Sequence, residues 1–210
     1  MNLFVLAREV LSSREATINW CRRHDLLPVQ VTCPLCGSLA VYEDKGGFVA
    51  GRFVCRGTEK NHIIISQQTK SPLMEFSESG AKDTFFSKTK INLSQKLLLT
   101  YLWALDIKLD QIMHECYFID EVEEDRISMR AISGWLLYLH KVAIRVIETI
   151  YLDTGKISRP TNIINSDEVK FGNWCEKIWR NECKKKYDGV FLGMINDISQ
   201  INWSDFDFNE

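Results

Sequence analysis

Cys33-Pro34-Leu35-Cys36-Gly37, followed by Cys55 and, after six intervening residues, His62, is the stretch on which the reading of this chain turns. A zinc ribbon takes two ligands from each of two tight turns, and a Cys-x2-Cys pair sets both thiolates of the first turn on one tetrahedral ion. Pro34 and Gly37 suit that turn. Cys55 and the His62 imidazole complete a Cys3His set, so one structural Zn2+ is expected on Cys33, Cys36, Cys55 and His62. All four positions would be protein, which leaves no open position for water and no expectation of Lewis-acid catalysis. The competing reading is three buried reduced thiols and a surface histidine, since free cysteine is among the most buried residue types.

The remaining cysteines, Cys21, Cys116, Cys175 and Cys183, have no close Cys-x2-Cys partner. Seven cysteines is an odd number, and the first residues lack the pattern of a secretory leader, so a disulfide framework is not expected and a reducing compartment is. The 210 residues are 45% hydrophobic and 26% charged, which suits one or two packed domains. No apolar run is long enough to span a bilayer. Charge is uneven: residues 1–110 carry 14 Lys and Arg against 11 Asp and Glu, whereas residues 111–210 carry 12 against 17. The slightly basic front half permits nucleic-acid binding without demanding it.

An α+β fold in four stretches is expected. Residues 1–28 read as an N-terminal helical segment, with Leu3, Leu6 and Val10, then Ile18, Cys21 and Leu26, at helical intervals. Ser12-Ser13-Arg14-Glu15 has the pattern of a capping box opening its second helix. Residues 29–70 form the ribbon, with strands expected at Ala40–Glu43, Gly51–Val54 and Ile63–Ser66. Ser71–Lys82, with Pro, Gly and three Ser, reads as a loop.

Residues 85–152 read as a helical domain. Leu93, Leu97, Leu98, Tyr101, Leu102 and Leu105 make a wide apolar face, with Ser94 as the expected cap. A break at Asp106–Lys108 leads to a second helix, Leu109–Phe118. The third, about Ser128–Tyr151, buries Ile132, Trp135, Leu136, Leu139, Val142, Ala143, Val146 and Ile150. Two helices joined by a short turn and followed by a third suit a helix-turn-helix-like arrangement, with a plain helical bundle as the alternative. Arg130, His140, Lys141 and Arg145 on the third helix are candidates to face phosphates. Residues 160–210 suggest a small sheet: strands at Asn162–Ser166, Gly189–Ile195 and Ile198–Phe208, with Asp167-Glu168 at the end of the first.

The order SSREATINWCRRHDLLP, CPLCGS, TFFSKTKINLSQKLLLTYLWALD, DEVKFG and GVFLGMIND resembles the N-terminal two-thirds of a Merlin-type DNA transposase, related to bacterial insertion-sequence transposases with a zinc ribbon. The resemblance runs over about residues 3–195. It implies a DNA-binding front end of ribbon plus helix-turn-helix, then an RNase H-like β-meander beginning near Thr161. It also implies that Asp167 matches the first acid of a two-metal set, while Asp205, Asp207 and Glu210 match no motif of that set. Two-metal displacement needs a clamp on both the attacking and the leaving oxygen, which one aspartate and its neighbour do not build.

The expectation is therefore a domesticated, catalytically inactive, transposase-derived nuclear protein that binds DNA or chromatin, with a truncated RNase H-like remnant and a vestigial Asp167. A protein-interaction adaptor, in which the same helices dock a protein partner or a second copy, is the alternative. A third reading takes the chain as a fragment of an active transposase.

Overall fold

Asn2, Ser13, Asn92 and Ser128 each accept a hydrogen bond on a side-chain oxygen from the backbone N–H three residues ahead, at 3.0, 3.1, 2.8 and 3.2 Å. Each thereby satisfies a donor that a helix start leaves orphaned. The computed structural model describes residues 1–44, 49–57, 75–87, 91–117, 127–160, 168–187 and 189–204. Its helices are α1 (Leu3–Val5), running into a π-helical turn Leu6–Val10, α2 (Arg14–Arg23), α3 (Leu93–Ala104), α4 (Leu109–Tyr117), α5 (Met129–Val146), running on through the π-helical Ile147–Leu152, α6 (Glu168–Lys186) and α7 (Val190–Ser199). Two of the expected caps are displaced. Ser13 rather than Ser12 opens α2, which puts Glu15 too early to close a capping box. Asn92 rather than Ser94 opens α3, and the Ser94 hydroxyl lies 3.1 Å from Thr17 Oγ1.

The chain divides into two compact units. One holds Met1–Thr17 and Ile91–Asn202; the other holds Ile18–Lys90 and Trp203–Glu210. The second contains a three-stranded antiparallel sheet in the order β1 (Val41–Glu43), β2 (Arg52–Cys55), β3 (Phe76–Ser79). Its register pairs Val41 with Val54 and Glu43 with Arg52 on one side, and Arg52 with Ser79 and Cys55 with Phe76 on the other. The third strand corrects the sequence reading, which gave Ser71–Lys82 as loop. Phe76-Ser77-Glu78-Ser79 carries no apolar alternation, and what makes it a strand is the free edge of β2. The strand expected at Ile63–Ser66 lies outside the described residues. Arg52 reaches across the pair to the Glu43 carboxylate at 2.9 Å, Tyr42 and Phe53 set their rings 5.5 Å apart, and Phe53 and Val54 are buried.

In the helical unit most of the expected apolar face of α5 is buried, with Leu136 half-buried, whereas that of α3 is corrected: Leu105 is exposed and Leu98 half-buried, and Leu99 and Trp103 are buried instead. Leu93, Leu97, Tyr101 and Leu102 are buried on α3; Ile132, Trp135, Leu139, Val142, Ala143 and Val146 on α5. Trp135 donates its indole N–H to Thr100 Oγ1 at 3.2 Å, fixing one helix against the other. Lys96 is fully buried on α3, its Nζ 5.4 Å from the Trp135 ring centroid, and burial pushes its pKa down to about 7.

Within residues 160–210 the expected β-meander is corrected: the described residues there form α6 and α7. Val190, Phe191, Met194, Ile195 and Ile198 are buried at helical spacing on α7, which replaces the strand expected at Gly189–Ile195; of the strand expected at Ile198–Phe208, Ile198 and Ser199 end α7 and residues 205–208 lie outside the described residues. A short apolar run fits either state, and it is the continuation to Ile198 that decides for helix. On α6, Cys175, Trp179 and Cys183 are buried at intervals of four, and Lys184, Lys185 and Lys186 complement the C-terminal end of the helix dipole. Asn162–Ser166 lies outside the described residues. Asp197 on α7 is the polar centre of this packing, its Oδ2 accepting from Tyr151 at 2.8 Å and from the Trp179 indole at 2.9 Å, with Cys183 Sγ at 3.7 Å. No helix among the described residues is long and apolar enough to cross a membrane.

Candidate metal centre

The first half-site is built by backbone geometry before any ligand chemistry. The Cys33 N–H donates to the Ser38 carbonyl at 2.8 Å, the Gly37 N–H donates back to the Cys33 carbonyl at 2.9 Å, and Thr32 bridges to Leu39. The chain thus reverses over Pro34–Gly37 and turns Cys33 and Cys36 to the same side. Gly37 has φ +72°, and a Cβ there would meet nothing within 4 Å. The glycine is required by the left-handed backbone, not by crowding. The second half-site is Cys55, the last residue of β2, held in register opposite Phe76.

These elements bring the three sulfurs within 4.8 Å of one another, with Cys36 Sγ and Cys55 Sγ 3.6 Å apart. Zinc bound to thiolates at about 2.3 Å in a tetrahedron holds neighbouring sulfurs about 3.8 Å apart, so the spacing fits one ion. Cys33 is fully buried, Cys55 nearly so, and Cys36 is half-buried. The Gly57 backbone N–H pulls the Cys55 pKa down, but burial and the neighbouring Cys36 and Cys33 thiols outweigh it, and the net shift is upward. Three thiolates this close repel one another, and a divalent cation is what reverses that balance. Cys33, Cys36 and Cys55 are therefore close enough to hold a metal ion. His62, the fourth expected ligand, lies outside the described residues. Among the described residues no other three His, Cys, Asp or Glu side chains converge in this way.

The candidate phosphate-facing residues divide. Arg130 is exposed, and Lys141 and Arg145 are half-buried. At 3.6 residues per turn they fall within about 60° of one another on α5. His140 lies on another face. Its Nδ1 is 2.7 Å from Glu176 Oε1 on α6, and a Cβ on Gly172 would overlap its ring. Glu176 also pairs with Arg180 at 3.3 Å, and Arg180 reaches Asp106 at 3.4 Å and the Trp103 carbonyl at 3.1 Å. His140 is thus held inside a chain of charges within the helical unit. Asp167 lies outside the described residues, and its neighbour Glu168 is the first residue of α6.

Sequence reasoning passed over Arg159, which lines the same cavity as Arg145. No spacing rule could have joined them, because a turn after residue 152 sets their proximity. Compared with protein-family models, with curated proteins and with solved structures, the chain gives no match.

Proposed function

We propose that this chain is a transposase-derived DNA- or chromatin-binding protein of the nucleus, stabilised by one structural zinc ion on Cys33, Cys36, Cys55 and His62. The observation that carries the reading is the convergence of the three thiols on a small antiparallel sheet at zinc spacing. That ribbon is followed by α3, a four-residue turn, and α4 and α5, in the order of a Merlin-type front end. On this reading the three helices form a helix-turn-helix-like arrangement, and Arg130, Lys141 and Arg145 present one cationic face to phosphates. No catalytic step is assigned to the chain. The residues that follow Asp167 are helical, and this supports a binding role over a strand-borne acidic site.

Fluorescence anisotropy with a duplex at two salt concentrations tests the proposal. Binding should strengthen as salt falls, because phosphate contacts release counterions. A flat titration at low salt refutes it. Metal analysis of purified protein should return about one zinc per chain, and none would remove the zinc part of the reading.

One observation favours a second reading, a protein-docking adaptor or self-associating chain. Leu3, Ala7, Leu11, Leu98, Leu102 and Ile107 line an apolar groove, and Leu3 is 47% exposed. A stoichiometric partner that survives Arg130→Glu, Lys141→Glu and Arg145→Glu together, and is lost with Leu3→Glu, would favour it.

A further inference from the structure

Past Leu152 the chain turns back on α5. Gly155 takes φ +69°, its N–H donates to the Leu152 carbonyl at 2.9 Å, and the Lys156 N–H donates to the Tyr151 carbonyl at 2.9 Å. This is the glycine-closed helix end in which two orphan carbonyls are satisfied at once. Its effect is to bring Arg159 back alongside the face of Arg145 and Thr149, one turn apart on the helix. Between them lies a cavity of about 400 Å³, also lined by Glu148 and Asp153.

The donors of this cavity are uneven. Arg159 donates from Nη2 to Glu148 Oε1 at 3.2 Å, and its guanidinium lies 4.7 Å from the centroid of the Phe171 ring, which stacks on Trp174. The carboxylate and the ring hold Arg159 in place. Arg145 Nε is buried and has no hydrogen-bond partner. A buried guanidinium N–H without an acceptor is costly, and planar guanidinium forks match tetrahedral oxyanions.

We propose that this cavity binds the phosphodiester group of a nucleic-acid backbone, with Arg145 and Arg159 as its donors and the Thr149 hydroxyl beside them. The inference rests on the DNA-binding reading and adds a residue and a ligand class to it. Two cations and two carboxylates line the space and cancel in net charge, so the lining offers a dianion no net attraction to offset a desolvation cost that rises with the square of the charge. That balance selects a diester over a phosphate monoester or free phosphate. Lys141 and Arg130 continue the same face of α5 away from the cavity, as a backbone track requires.

Two measurements test it. In anisotropy titrations over a salt series, Arg145→Gln and Arg159→Gln should each weaken duplex binding about 5- to 10-fold at low salt and lower the slope of log K against log salt by about one. Arg145→Lys, which keeps the charge but not the fork, should recover the slope more than the affinity. Arg159 is exposed, so its variant serves as the folding-safe arm. Duplex binding with both slopes unchanged overturns the cavity and leaves the DNA reading standing. In the second measurement, dimethyl phosphate and inorganic phosphate are titrated against the wild-type Arg145 Nε–H resonance. A shift with dimethyl phosphate exceeding that with inorganic phosphate supports the proposal, even for a chain that binds no duplex. No shift, or a larger one with inorganic phosphate, overturns it.

Discussion

The unit with the three thiols and the helical unit differ in how their described residues are held. Around Cys33, Cys36 and Cys55 the sheet is three strands of three or four residues, with Phe53 and Val54 its buried strand residues beside the cysteine. Strands this short bury few apolar side chains of their own; Trp20, Leu26, Leu27, Phe85, Phe86 and Trp203 are buried in the same unit, and a metal crosslink is what small modules of this kind add to such a core. The helical unit relies on longer apolar faces. It buries Trp135, Trp179, Tyr151 and long aliphatic faces of α3, α5, α6 and α7, and can afford to bury Lys96 and Asp197 among them.

The largest test of that contrast is metal removal. Chelation, or Cys36→Ser, should abolish the ordered ribbon, since structural zinc supplies on the order of 10 kcal/mol in comparable modules. Backbone amide spectra should lose the dispersion of residues 31–57 while far-ultraviolet helicity persists. A ribbon that stays ordered without metal breaks the comparison. In the helical unit, Trp179→Ala should cost about 3–5 kcal/mol in chemical denaturation, from the cavity it leaves. It also deprives Asp197 of a donor at 2.9 Å.

Lys96 gives the helical unit a pH signature of its own. In the unfolded chain its amine takes up a proton below 10.5, and in the folded protein only below about 7. Between those values the unfolded state binds more protons, so folding stability rises with pH across that window. Wild type measured against Lys96→Met should gain on the order of 3–4 kcal/mol between pH 7 and pH 10.5. A constant difference would contradict the burial of the ammonium. The smallest effect is at the helix start: Asn92→Ala should cost about 1 kcal/mol by removing the 2.8 Å cap to Gln95, without touching metal content.

What could be read from the sequence follows the same division. The cluster of three thiols was legible because its first turn is local, and Cys55 announced itself by spacing alone. The buried face of α5 was legible because its apolar spacing persists over eighteen residues. β3 was not, since Phe76-Ser77-Glu78-Ser79 is a strand only by virtue of β2 beside it. α7 was not, because Val190–Ile195 is too short an apolar run to reveal its period. Lys96 was not either, as nothing in LSQKLLLTYLWA marks which polar residue turns inward toward Trp135. The shared cavity of Arg145 and Arg159 depends on the geometry of one turn, which composition does not encode.

The Asp197 node has a consequence for chemistry in solution. Cys183 is fully buried beside that carboxylate, and burial first, then Asp197, pushes its thiol pKa well up. A thiol so placed meets an aqueous alkylating reagent only when the contact between α6 and α7 opens. Followed separately from the other cysteines by peptide mapping, the labelling rate at Cys183 becomes a clock for the opening of the helical unit, wound by the protein itself.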